Sequence, residues 1–274
     1  KDKVEMAAIT ARLQERHHKP ISYEAVRRYV RKIEPLEPDA CVRMEVPPGT
    51  EAQVDFGYAG LTVDEEGQVR KTWVFVMQLS WSRYMFALLV YSQDIRTWLE
   101  CHRLAFEFFG GVPDRIVLDN LRSAITKACV DDPLVQRSYR EFAEHYGFLI
   151  DPNPPARPNR KGQTEQGAVH YVKRNFMAGR GVEPTVVLNE RLVDWLVDVA
   201  GARLHGTTKK VPLTQFLEVE KGLLRPLPES PYDMGVWAER LLYRDCYVTY
   251  DHAYYSAPYR LVGQTLRVRD GVSP

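Results

Sequence analysis

At 274 residues the chain exceeds what one small core requires and has room for a central domain with flanking modules. Apolar residues make up 45% and charged residues 27%, the balance of a globular protein, which excludes a disordered or collagen-like chain. The net charge of +1 hides a strong segregation: residues 1–33 hold nine Lys/Arg against four acids, and residues 157–180 hold six against Glu165 alone, +5 in each case.

The first predicted elements are a helix over "DKVEMAAITARLQERHH", a break at Lys19-Pro20, and a second helix, "ISYEAVRRYVRKI", with Ser22 at its N-cap. Val26, Tyr29 or Val30, and Ile33 form the buried face of the second helix. That leaves Arg27, Arg28, Arg31 and Lys32 outward, the layout of a helix set in a DNA groove. Four prolines in "EPLEPDACVRMEVPPGT" then mark a linker over 34–49. Beyond it the pattern turns to strands: "AQVDFGY", "GLTVD", "TWVFVMQLS" and "RYMFALLVYS", an antiparallel meander. Residues 94–109 read as a helix with a wide apolar face, "DRIVLD" as an interior strand, 133–146 as a helix and "FLID" as a strand. A helix around Glu165 follows, with Val169, Val172 and Phe176 as its buried stripe. This element order is that of the ribonuclease H-like fold.

After the core, "LNERLVDWLVDVAGARLHG" reads as a long amphipathic helix and "VPLTQFLEVEKGLL" as a shorter one. The tail from residue 236 alternates strongly and is tyrosine-rich, which predicts a small β-barrel whose Tyr255, Arg260 and Arg267 are candidates to touch DNA. The expected domains are therefore a helical DNA-binding segment (1–33), a linker (34–49), an α/β core (50–180), a helical extension (181–235) and the barrel (236–274). Cys41, Cys101, Cys129 and Cys246 are scattered, fit neither a disulfide framework nor a paired-cysteine metal site, and suggest a reducing, cytoplasmic setting. Gln78, Ser80, Ser82 and Arg83 interrupt the most apolar stretch, Val74–Tyr91, which excludes an uninterrupted membrane span there. Opening on Lys1 and closing on "VRDGVSP", the chain reads as a piece of a longer protein.

Three acids stand where chemistry needs them. Asp55 lies inside the first strand, its carboxylate on the face opposite Val54 and Phe56; Asp119 ends a later strand; Glu165 opens a helix. Such carboxylates can converge on two divalent metal ions, the apparatus of phosphoryl transfer on nucleic acid. Arg160, Lys161, Lys173 and Arg174 suit phosphate contacts, and His170 can touch DNA from the outer side of its helix. Taken singly, each acid also fits a structural role: a sheet-edge residue, a helix N-cap, a solvent-facing helix residue.

"QVDFG", "LDNLRSAI", "KGQTEQGAVHYVKRNF" and "ARLHGTTKKVPLTQFLEVEKGLLRPLP", in that order, resemble the IstA transposases of bacterial insertion sequences, within the DDE transposase and retroviral integrase superfamily. The resemblance runs from about residue 20 to the end. It departs from the retroviral pattern in the longer interval between Asp119 and Glu165 and in lacking a His-His-Cys-Cys cluster ahead of the core. It implies a catalytic and metal-binding triad of Asp55, Asp119 and Glu165, with two Mg²⁺ ions that Mn²⁺ can replace. The implied activity is strand cleavage and strand transfer. The implied partners are element-end DNA, target DNA, further copies of the chain as a dimer or tetramer, and a companion AAA+ ATPase. Two other classes compete: a non-catalytic helix-turn-helix regulator with a degenerate nuclease-like domain, and a ribonuclease H-like nuclease that cuts without joining.

Overall fold

A computed structural model of the chain describes residues 6–17, 20–33, 46–118, 132–152 and 167–271. The chain divides into two compact units, residues 1–42 and 43–274. The first contains α1 (Met6–His17) and α2 (Tyr23–Ile33). Ala25 and Val26 donate their backbone N–H groups to the Ser22 carbonyl, which starts α2 where the sequence places its cap. Val26 is buried and Val30 half-buried, whereas Tyr29 is 66% exposed, so the inward face runs through the valines.

The second unit is built on a five-stranded sheet in the order β3-β2-β1-β4-β5, from β1 (Glu51–Val63), β2 (Val69–Leu79), β3 (Met85–Val90), β4 (Arg115–Leu118) and β5 (Leu149–Pro152). The pairs β1–β2 and β2–β3 are antiparallel, while β1–β4 and β4–β5 are parallel. The two segments read as separate strands over 52–64 are one strand. A register shift between Tyr58 and Gly60 bends it, and Gly60 takes up the positive φ of 125°. This mixed sheet has the order and strand directions of a ribonuclease H-like core.

Each face of the sheet carries a helical layer. On one side α3 (Ile95–Phe109) and α4 (Pro133–Tyr146) close an aromatic core in which Val54, Phe56, Phe75, Trp98, Phe106, Tyr139 and Phe142 are buried. Asp94 caps α3 by accepting from Thr97 N–H at 2.7 Å, and Gly110 ends the helix at φ 69°, a left-handed conformation cheap only for glycine. Within this core His102 is fully buried. Its Nδ1–H donates to the Trp98 carbonyl (2.8 Å) and its Nε2 accepts from the Tyr139 hydroxyl (3.1 Å), a set that suits the neutral ring.

On the other side lie α5 (Ala168–Val172, prolonged by a wider π turn, Lys173–Met177) and α6 (Thr185–Trp195, prolonged by Leu196–Gly201). Val169, Val172, Phe176, Leu188, Leu192 and Leu196 pack there against Val74, Val76, Met85 and Leu89. Asn189 of α6 clamps the edge strand β3: its Oδ1 accepts from Leu89 N–H (2.8 Å) and its Nδ2 donates to the Leu89 carbonyl (3.0 Å), standing in for a neighbouring strand.

The next helix, α7 (Pro212–Gln215), continues through Phe216–Glu220 and Lys221–Leu223. Its buried Glu220 accepts from the backbone N–H groups of Gly49 (3.0 Å) and Ser82 (3.1 Å), tying the segment leading into β1 to the turn between β2 and β3. Arg225 then exchanges backbone hydrogen bonds with Val112 and bonds Asp114 and the Gly147 carbonyl. In the C-terminal region β6 (Val236–Leu241) pairs with β9 (Thr265–Asp270), and β7 (Tyr247–Tyr250) pairs with β8 (Ala253–Ser256). These described strands form two two-stranded sheets rather than a closed barrel. Trp237 joins β6 to α4, its indole N–H donating to Glu141 (2.8 Å) beneath the Arg137 guanidinium. Among the described residues no helix is long and apolar enough to cross a membrane.

Candidate active site on the β1 strand

Strand alternation places Asp55. Val54 and Phe56 point into the aromatic core, so Asp55 and Gly57 face the layer formed by α5 and α6. The carboxylate is half-buried, and its Oδ1 accepts from the Phe56 backbone N–H at 2.8 Å. The start of α5 lies directly over it: a side chain at Gly167 would bring its first carbon to 3.3 Å from Asp55 Oδ2. The same close approach is visible at Gly57, where an added β-carbon would sit 2.7 Å from Val169 Cγ1. Two glycines, one on the strand and one at the helix start, thus let α5 settle onto β1 beside the carboxylate.

The parallel neighbour β4 ends next to the same point, because Leu118 pairs with Val54, one residue before Asp55. Asp119 and Glu165, together with Arg160 and Lys161, fall outside the described residues. On α5, His170, Lys173 and Arg174 are exposed, and Val169, Val172 and Phe176 form the buried stripe expected of them. In the first unit Arg28 is exposed and Arg27 pairs with Glu24 at 3.2 Å; Arg31 and Lys32 lie within α2, their side chains outside the described set.

Sequence reasoning missed the polar row that precedes Asp55 on its own face of β1. Glu51 is buried, its Oε2 accepting from Arg115 (2.9 and 2.6 Å) and its Oε1 from Ser80 (2.8 Å) and Gln53 (3.3 Å). Period-two spacing of Glu51, Gln53 and Asp55 is the signal that could have revealed it. Tyr255 (54% exposed), Arg260 and Arg267 lie at the surface of the C-terminal region, with Arg267 near Glu239 at 3.6 Å. Among the described residues no cluster of three or more His, Cys, Asp or Glu is arranged to hold a metal ion.

Residues 47–158 match the integrase core domain family and residues 227–273 the C-terminal domain of Mu transposase. The chain is 36% identical over 271 residues to "Putative transposase Rv3428c" of Mycobacterium tuberculosis, with 96% of this chain and 66% of that protein covered. To a "Transposase for insertion sequence element IS21-like" of Bacteroides fragilis it is 34% identical over 220 residues, covering 78% of this chain and 41% of the relative. The catalytic core domain of BIV integrase superposes with a TM-score of 0.42 at 16% identity, over 64% of this chain and 97% of that one. The chain therefore spans about two fifths to two thirds of the length of these curated relatives. With an integrase core followed by a Mu-type C-terminal domain, and with IS21-type transposases as its relatives, the chain belongs to the IstA-type transposases of the DDE superfamily.

Proposed function

We propose that this chain supplies the catalytic part of a transposase that cleaves and joins DNA strands at the ends of an insertion sequence. The observation that carries this reading is the meeting of β1, the end of β4 and the start of α5 at Asp55. Asp119 follows Leu118 directly in the chain. Glu165 precedes Gly167 by two peptide units, a chain reach of at most about 7.6 Å. In this reading the three carboxylates form one site, and only the fold brings them together.

A half-buried Asp on a rigid strand, with two further carboxylates in reach, matches the hard-oxygen preference of Mg²⁺ or Mn²⁺. Asp55, Asp119 and Glu165 would hold two such ions, which supply polarisation of the scissile phosphate and activation of the attacking oxygen. Phe56 N–H fixes the rotamer of Asp55, and Gly57 and Gly167 set how close α5, which follows the third acid in the chain, can come. His170, Lys173 and Arg174 on α5, with Arg160 and Lys161 ahead of it, would hold the DNA backbone; Arg27, Arg28, Arg31 and Lys32 of α2 would read DNA as the second helix of a helix-turn-helix. We further propose that the C-terminal strand pairs belong to a small barrel, that copies of the chain assemble on paired element ends, and that a companion AAA+ ATPase joins them. The family resemblance supports these last readings.

The test is a joining reaction with the full-length protein, oligonucleotides bearing the element's ends with free 3′-hydroxyls, a supercoiled plasmid and Mg²⁺. Joined products are expected. Nicking without joining would mean a nuclease, and DNA binding with neither would place the chain among regulators.

A further inference from the structure

Residues 167–182 contain Lys173, Arg174 and Arg180 and no Asp or Glu. Residues 199–211 contain Arg203, Lys209 and Lys210 and again no Asp or Glu. On a chain whose net charge is +1, these two acid-free segments contribute +6. They are joined in space: the Arg203 guanidinium lies 4.0 Å above the Tyr171 ring of α5, and its Nη1 donates to the Ala200 carbonyl, so the guanidinium is pinned against α5 from the far end of α6.

The loop beyond Arg203 is built to a fixed shape. His205 N–H donates to the Lys210 carbonyl, and Lys209 N–H donates back to the His205 carbonyl, both at 2.9 Å. Thr208 N–H donates to His205 Nδ1 at 3.3 Å. Lys209 adopts φ 55°, a left-handed conformation that lysine takes only where surrounding bonds impose it. Lys210 Nζ lies 5.9 Å from the Trp81 ring, and the Thr208 hydroxyl is buried without a hydrogen-bond partner. Lys209, Lys210, Gly206 and Thr207 are exposed, as are His170, Lys173 and Arg174 on α5.

We propose that the loop between α6 and α7, residues 203–210, is a second phosphate-contacting element that extends the basic face of α5 and holds the backbone of duplex DNA without reading its sequence. Cations flanking the small residues Gly206, Thr207 and Thr208, on a loop closed by its own backbone bonds and free of carboxylates, suit a phosphate row rather than base edges. A protein partner would need a cluster of apolar anchors, and the loop exposes a single large one, Leu204 (66% exposed), beside Gly206, Thr207 and two lysines. The inference rests on the reading of this chain as a DNA-acting enzyme, but its test does not require catalysis.

Binding of the full-length protein to a random-sequence duplex is measured by fluorescence anisotropy across salt concentrations. A Lys209→Gln/Lys210→Gln variant is compared with a Lys71→Gln/Lys221→Gln variant, which removes the same charge from exposed positions outside the two segments. We expect the first to lower the slope of log affinity against log salt by about 2 and the second to leave it unchanged. An equal slope change in both variants, or none in the first with an unaltered melting temperature, would overturn the proposal. Asp55→Asn, run in parallel, is expected to join nothing. Joining that persists in Asp55→Asn would count against the catalytic reading alone, and an unchanged slope in the lysine variant against the loop alone.

Discussion

A methyl group at position 57 would meet Val169 Cγ1 at 2.7 Å, closer than packed carbons come, and neither strand nor helix can yield without moving α5. We expect Gly57→Ala to cost about 1–3 kcal/mol in urea unfolding and to lower joining more than the stability change accounts for, because the displaced helix begins three residues after Glu165 in the chain. A variant that unfolds earlier but joins normally once folded would show that α5 does not position the site. His102 gives a second expectation at this scale. Burial pushes its pKa down from 6.5 to about 3, so the folded state favours the neutral ring. Its contribution to stability is fully present above pH 6.5 and is lost as pH falls toward 3, roughly 3 kcal/mol by pH 4. Unfolding midpoints measured between pH 7 and 4 should fall for the wild type and fall less steeply for His102→Leu.

Among the elements, those whose apolar pattern is decided locally were legible in the sequence. The helix over 133–146, the strand ending in "RIVL" and the stripe Val169, Val172, Phe176 needed only periodicity and a cap or turn at each end. The split of "AQVDFGY" from "GLTVD" failed because Gly60 bends a strand that its partner β2 keeps continuous, a tertiary effect invisible to local pattern. Tyr29 and Val30 could not be told apart by spacing, and packing chose the valine. Of the candidate site, Asp55 and its facing were readable from alternation. Its closeness to Gly167 was not, since that contact depends on how α5 lands on the sheet. The Asn189 clamp was equally hidden: one helix residue bonds both backbone groups of Leu89 a hundred positions away. We expect Asn189→Ala to lower stability by about 1–3 kcal/mol and to speed amide exchange at Leu89 more than at Val76 in the sheet interior. Equal acceleration at both amides would contradict a local edge clamp.

For the molecule as a whole, the sheet separates two jobs. Its aromatic face, under α3 and α4, holds the core together; its other face carries Asp55 and receives α5. The segment from Glu220 to Arg225 binds Gly49, Ser82, Val112 and Asp114, which lie beside or before the starts of β1, β3 and β4, so this strap joins the sheet at the opposite end from the carboxyl end of β4. Asp55, Asp119 and Glu165 are proposed to act as one catalytic unit. We would measure joining rates for Asp55→Asn, Asp119→Asn and Glu165→Gln, singly and combined, with melting temperatures as a folding control. If the acids form one catalytic unit, each single change lowers the rate by about 10³-fold or more and the triple variant is no slower than the worst single one. Joining that survives any one substitution, or losses that multiply from variant to variant, would contradict it.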